Sequence, residues 1–153
     1  MSDDYEVHAK DELKRADHLI YVTLKYTRTV DVIKNTVKRL ISALEFSMLD
    51  SLNHMKIKGK FKDIIPTHPN LRSNLLLKLL PKSKKALDFY NYLRKMDMAE
   101  YGKKEEYRKN VALIAKDVIG KKIVEVNVEV LKQLYDQTVV FVNELEVLSN
   151  PPS

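Results

Sequence analysis

The sequence predicts an all-α fold, an antiparallel bundle of four to five helices, with a helix and one small β-hairpin competing for residues 111–126. Three observations carry this reading. The chain has 153 residues, the size of a single domain able to bury its own core. It holds only three Gly and five Pro, too few for the many turns of a sandwich or barrel. Residues 16–55 contain neither, and Leu19, Val22, Tyr26, Val30, Ile33, Val37, Leu40, Leu44, Met48 and Met55 recur at the spacing of one helix face.

Ser2-Asp3-Asp4 suits a helix start, because a Ser or Asp oxygen accepts from the free first-turn amides and acids favour the positive end of the helix. Residues 5–15 are charged, and the apolar stripe takes over at Ala16. A helix unbroken from there to Met55 would far exceed the usual length of about 11–12 residues. The expected break is Thr27-Arg28-Thr29, where a β-branched hydroxyl residue is poor inside a helix and good at the start of one. This gives helices over 9–27 and 30–55. Ile20 and Leu24 fall off the stripe and are expected to form a second, exposed apolar edge suited to homodimerisation.

Residues 56–70, KIKGKFKDIIPTHPN, are the main loop, since Pro66 and Pro69 forbid a long helix. Asn70 is the expected cap of a short helix, LRSNLLLKLL, that Pro81 ends. Ser83 opens the next, whose stripe is Leu87, Tyr90, Leu93 and Met96, flanked by Phe89 and Tyr92. Beyond Gly102, Tyr107, Val111, Ile114 and Val118 step as a helix would. The β-branched runs 111–115 and 123–126 around Gly120-Lys121-Lys122 favour a hairpin, the preferred reading. Asn127 caps the last helix, with a stripe of Val130 or Leu131, Leu134, Val139, Phe141 or Val142, Leu145 and Leu148. Residues 149–153 form a tail closed by Pro151 and Pro152.

Charge is unevenly placed within a net of +6. Residues 1–52 carry 8 basic and 9 acidic side chains, residues 53–122 carry 18 and 7, and residues 123–153 carry 1 and 5. A basic block between mildly acidic ends can steer an anionic partner to one surface. It holds Lys56, Lys58, Lys60 and Lys62 around Phe61, then Lys82, Lys84 and Lys85 ahead of Phe89 and Tyr90, then Arg108 and Lys109. Clustered cations bind phosphates and exposed aromatics stack on bases, so these are the candidate nucleic-acid-binding residues. Aromatic residues at helical spacing also fit a core, and lysine-rich loops also serve as solvated surface. Tyr21, Lys25 and Arg28 share a polar edge of the first long helix and could grip an anion. With His18, beside Asp17, the expected polar groove is His18, Tyr21 and Arg28.

Other chemistries lack their residues. Cysteine is absent, which removes thiol catalysis, disulfides and thiolate zinc sites. Three isolated glycines build neither a phosphate loop nor a dinucleotide fingerprint, and no Gly-x-Ser-x-Gly elbow occurs. His8, His18, His54 and His68 form no His-x-x-x-His or Glu-x-x-His pair, so no metal, no catalytic residue and no cofactor are expected. No apolar run approaches the ~18–20 residues that span a bilayer. With an acidic, polar start unlike a signal or transit peptide, the chain reads as cytoplasmic, with no membrane partner. Few Gln, no Cys and abundant Lys, Glu, Ile and Val fit a thermophilic source.

Tyr107-Arg108-Lys109-Asn110-Val111, with the Ala16-Asp17-His18 opening of a long helix, resembles the HEPN helical-bundle superfamily over roughly residues 9–148. Many members of that superfamily are RNA-cleaving toxins or partners of nucleotidyltransferases, and carry an Arg and a His separated by four to six residues. After Arg108 those positions hold Leu113, Ile114 and Ala115, so the histidine is missing. The resemblance therefore implies the fold and a nucleic-acid setting, with Arg108 in a binding role at most. The expected function is a non-enzymatic binding or accessory domain that meets nucleic acid or a protein partner through its basic surface, as a homodimer. The alternatives are an RNA-cleaving protein of the HEPN kind and a purely structural oligomer subunit.

Overall fold

In the computed structural model, which describes residues 4–118 and 120–150, the chain is mostly helical and carries one three-stranded sheet. Helix α1 (Tyr5–His18) begins at Asp4, whose carboxylate accepts from the Val7 amide at 3.3 Å. Ser2 and Asp3, the other expected cap residues, lie outside the described residues. A π turn, Leu19–Thr23, and a single turn, α2 (Leu24–Tyr26), follow. The helix breaks over residues 27–29, where it was expected to break. Helix α3 (Val30–Ile57) then starts with the Thr29 hydroxyl accepting from the Val32 amide at 3.3 Å.

The expected stripe holds for α3, which buries Val30, Ile33, Val37, Leu40, Leu44, Met48 and Met55. It fails in the turns before. Ile20 is 2% exposed and Leu24 is buried, whereas Val22 faces solvent and Tyr26 is 85% exposed. The buried face is set earlier, by Ala9, Glu12 and Ala16 on α1, and Ile20 continues it at ordinary helical spacing; the π turn, whose bonding to the fifth residue widens the turn, keeps Leu24 on the same face. The buried face then runs from Ala16 to Ile20 to Leu24 in even steps of four. The exposed Ile20–Leu24 edge expected for homodimerisation therefore does not exist in this fold.

Gly59 ends α3 at a φ of +77°, a left-handed value that disfavours any residue with a Cβ. The Lys60 amide reaches back to the Met55 carbonyl at 2.9 Å and the Gly59 amide to Lys56 at 3.0 Å, which satisfies two free carbonyls of the last turn. Helix α1 runs antiparallel along α3, with Tyr5 stacked on Phe46 and Glu12 against Arg39. Helix α6 (Val128–Ser149) runs in the same direction as α3. Ser51 Oγ donates to the Leu145 carbonyl at 3.3 Å, and Lys58 Nζ to that of Ser149 at 2.8 Å. The arrangement is thus not antiparallel throughout, because the chain between α3 and α6 returns to the starting end.

That return begins with α4 (Pro69–Leu79), where His68 Nδ1, not Asn70 as expected, faces the free first-turn amide of Asn70 at 3.2 Å. Pro69 explains the shift: its fixed φ and missing N–H suit the first helical position, which places the cap one residue earlier. A tight turn over Pro81–Ser83 leads to α5 (Lys84–Met98), which buries Leu87, Tyr90, Leu93 and Met96 as its pattern requires.

Strands β1 (Tyr101–Lys104), β2 (Ala112–Val118) and β3 (Lys121–Asn127) form an antiparallel sheet in the order β1-β2-β3. The preferred hairpin reading of residues 111–126 matches β2 and β3, with Leu113 opposite Val126 and Ala115 opposite Val124. The all-α class needs correction, since β1 completes a sheet that sequence reading did not foresee. Tyr-Gly-Lys-Lys has no β-branched residue to announce a strand, and its backbone is recruited by pairing with β2. Asn127 caps α6 as expected, accepting from the Val130 amide at 2.8 Å. On α6, Thr138 and Ser149 take buried places expected for Val139 and Leu148. Their hydroxyls bond the carbonyls of Leu134 and Leu145, both at 2.7 Å. Pro151 and Pro152 lie outside the described residues.

Candidate anion-binding site

The helix break, the start of α6 and the β1–β2 loop meet at one end of the molecule. The loop turns through left-handed backbone at Glu105 (φ +50°) and Tyr107 (φ +67°). Such values are uncommon outside glycine and are held by surrounding contacts. Here the Tyr107 amide donates to the Arg28 carbonyl at 2.6 Å, and Glu106 Oε2 accepts from the Val30 amide at 3.0 Å. Lys109 follows two residues later and faces the end of the first helix.

Between these elements lies a cleft of about 330 Å³. Ile20, Leu24 and Val128 supply its apolar lining, and Tyr21, Lys25, Arg28, Lys109 and Lys132 its polar one. Lys132 Nζ stands 5.3 Å from the Tyr21 ring centroid, a cation–π distance that orders both side chains. Four cations line the cleft and no carboxylate does. Among the described residues none of the four makes an ion pair. Neighbouring cations differ. Lys103 lies 3.4 Å from Glu106 and 3.8 Å from Asp31, and Lys104 lies 2.8 Å from Glu125. Asp31 above all, with Glu106, raises the pKa of Lys103, and Glu125 does so for Lys104. The cleft cations keep their hydrogen-bonding capacity for a ligand, and charged donors make the stronger bonds to phosphate. A smaller recess of about 200 Å³ adjoins, sharing Lys109 and Val128 and adding Asn110, Asn127 and Glu129.

Of the residues singled out from the sequence, Tyr21, Arg28 and Lys109 come together here. His18 does not join them, because the π turn begins directly after it. It lines a separate hollow with Lys14, Arg15, Leu19, Asn35 and Arg39. Beside that hollow the buried Glu12 accepts from Arg15 and, at 3.2 Å, from Arg39. Burial works to raise the Glu12 pKa, but Arg15, Arg39 and Ser42 together hold it below the usual carboxylate value.

The remaining lysines are spread. Lys56, Lys58, Lys60 and Lys62 follow the far end of α3, with Lys58 tied to Ser149 at the C-terminal end of α6. The 22 residues of α6 span about 33 Å, so this tract and the cleft sit at opposite ends of that helix. Lys82, Lys84 and Lys85 precede or open α5, where Lys84 pairs with Asp88 at 2.8 Å and Lys85 lies by Phe89 and Phe141. Arg108 is exposed on the β1–β2 loop, outside the cleft lining. The segment that carries the HEPN resemblance, residues 107–111, belongs to that loop and the residue joining it to β2.

Sequence reading missed Lys132. It is the one basic residue among the last 31, alone in an acidic stretch, and that isolation was the available signal. Among the described residues no group of three His, Asp or Glu side chains is placed to hold a metal ion. Compared with protein-family models, curated proteins and solved structures, the chain matches none of them.

Proposed function

We propose that the chain is a binding domain, not an enzyme, and that the cleft at the helix break takes phosphates of a single-stranded nucleic acid. One observation carries this: Lys25, Arg28, Lys109 and Lys132 converge on one apolar-lined cleft with no carboxylate among its lining residues. Cations without partners gain most from a phosphate, and the apolar lining with Tyr21 offers contact to a sugar or base. This reading keeps the nucleic-acid setting that the HEPN resemblance implies and leaves the nuclease aside. For pairing with a second copy, the apolar edge that faces solvent on the first helix is that of Val22 and Tyr26.

Fluorescence anisotropy with a labelled single-stranded RNA tests the proposal. The Arg28→Ala/Lys109→Ala/Lys132→Ala protein should lose most of its affinity. The Lys56→Ala/Lys60→Ala/Lys62→Ala protein, altered at the other end of α6, should keep it. Equal losses in the two, or no binding by the native chain at low salt, would overturn the reading.

A further inference from the structure

A second cleft, of about 380 Å³, lies between the loop after α3 and helix α4, far along α6 from the anion site. Helix α4 carries a second apolar row beside its core-facing one. Leu76 points into the core, while Leu71, Leu75 and Leu79, at steps of four, line the cleft. Phe61, Ile64 and Pro66 form its other wall. Phe61, Leu75 and Leu79 are partly buried against the core and form the floor of the cleft, while its rim is open, with Ile64 84% and Leu71 59% exposed. The loop wall is braced: Arg72 donates to the carbonyls of Pro66 at 3.1 Å and Thr67 at 3.2 Å.

Charge selects the occupant. Lys60 and Lys78 line the cleft, and neither makes an ion pair among the described residues. Lys56 and Lys62 lie close by in sequence. Asp63 is the one acid of the cleft, and no other occurs before Asp88. A second copy of this surface would bring like charges together, which disfavours self-pairing. Nucleic acid is favoured less, because the lining is mainly aliphatic and bases stack on aromatic faces.

We propose that this cleft docks an acidic amphipathic helix of a partner protein. Its large aliphatic side chains enter between Ile64 and Leu71, and its carboxylates meet Lys60 and Lys78. Such recognition is the helix-in-groove mode, with anchors at i, i+3, i+4 and i+7.

The probe is a fluorescein-labelled peptide with Leu at that spacing and Asp or Glu elsewhere, titrated with the full chain and followed by anisotropy. Two controls replace its acids by Lys, or its Leu by Ser. The acidic Leu peptide should bind saturably and both controls should fail. Leu71→Asp, at a largely exposed position, should weaken binding about tenfold or more, and Lys60→Glu/Lys78→Glu should do the same with circular dichroism unchanged. No saturable binding of the acidic Leu peptide overturns the proposal, as does equal binding of either control or an unaffected Leu71→Asp protein. So does a Leu71→Asp protein that keeps the peptide but loses single-stranded RNA, vesicles containing phosphatidylserine, or self-association in light scattering. Failure of RNA binding by the native chain, with the peptide bound, leaves this proposal standing and removes only the one at the other cleft.

Discussion

Glu106 and Val30 stand 76 residues apart, yet the Glu106 carboxylate accepts a hydrogen bond from the Val30 amide at 3.0 Å. A loop between two strands thereby caps the longest helix, beside the local cap from Thr29 to Val32. The first amides of a helix have no internal partner, and a carboxylate there also meets the positive end of the dipole. Because the same loop presents Lys109 to the cleft, the cap couples fold stability to the anion site.

Removing either cap should cost about 1–2 kcal/mol, read as a shift in the urea unfolding midpoint for Glu106→Ala and Thr29→Ala. The two should separate in RNA binding. Glu106→Ala releases the loop that holds Lys109 and weakens binding several-fold, while Thr29→Ala leaves that loop in place and binding unchanged. An equal loss in both would mean that the loop does not depend on Glu106 for its position.

The π turn gives a contrast within one short segment. Leu24→Ala empties a buried site and should destabilise the chain by about 2–4 kcal/mol. Tyr26→Ala alters an exposed side chain and should change stability by less than about 0.5 kcal/mol. Denaturant unfolding of the two proteins decides this. The apolar stripe read from the sequence predicts the reverse order.

That stripe shows what was legible. Val30 to Met55 lies in one uninterrupted α-helix, so period alone identifies its buried face, and Thr29 and Asn127 announce their helix starts by local chemistry. Leu19 to Tyr26 was misread because the face buried there continues the small and polar residues Ala9, Glu12 and Ala16 of α1, which carry no apolar signal, and a π turn that leaves little trace in residue type keeps Leu24 on it. Strand β1 was invisible because Tyr-Gly-Lys-Lys becomes a strand through β2, not through its own propensity. The anion site was half legible. Tyr21, Lys25 and Arg28 share a helix edge, but Lys109 and Lys132 arrive from elements distant in sequence, and only the fold brings them in.

Glu12 gives a pH dependence with a definite sign. Its folded pKa lies below the unfolded value, since the pull of Arg15, Arg39 and Ser42 exceeds the effect of burial. On acidification the unfolded chain takes up the proton first. The stabilisation is therefore complete above about pH 4.3, the ordinary Glu value, and lost as pH falls through the folded value. Glu12→Gln should destabilise the chain by about 2 kcal/mol near neutral pH, between the values for exposed and for buried pairs because both guanidinium groups reach solvent. Thermal unfolding from neutral pH into the acid range checks it: the gap between native and variant Tm should narrow below about pH 4. A gap constant with pH would assign Glu12 a packing role alone.

Salt dependence separates a phosphate site from an apolar one. Each phosphate neutralised on a single strand contributes about −0.7 to the slope of log affinity against log salt. If Arg28 and Lys132 each hold one phosphate, Arg28→Ala and Lys132→Ala should each make the slope less negative by about that amount, and the double variant by about twice it. Lys132 also sits on the Tyr21 ring, so its removal frees Tyr21 and weakens binding at every salt concentration. Arg28→Lys keeps the charge and should keep the slope, while losing the affinity that depends on the planar guanidinium. Lys84→Ala, whose ammonium is paired with Asp88 at 2.8 Å outside the cleft, is the control and should change neither quantity. A slope that falls as much for Lys84→Ala as for Arg28→Ala would mean that the nucleic acid meets a diffuse basic surface and not this cleft.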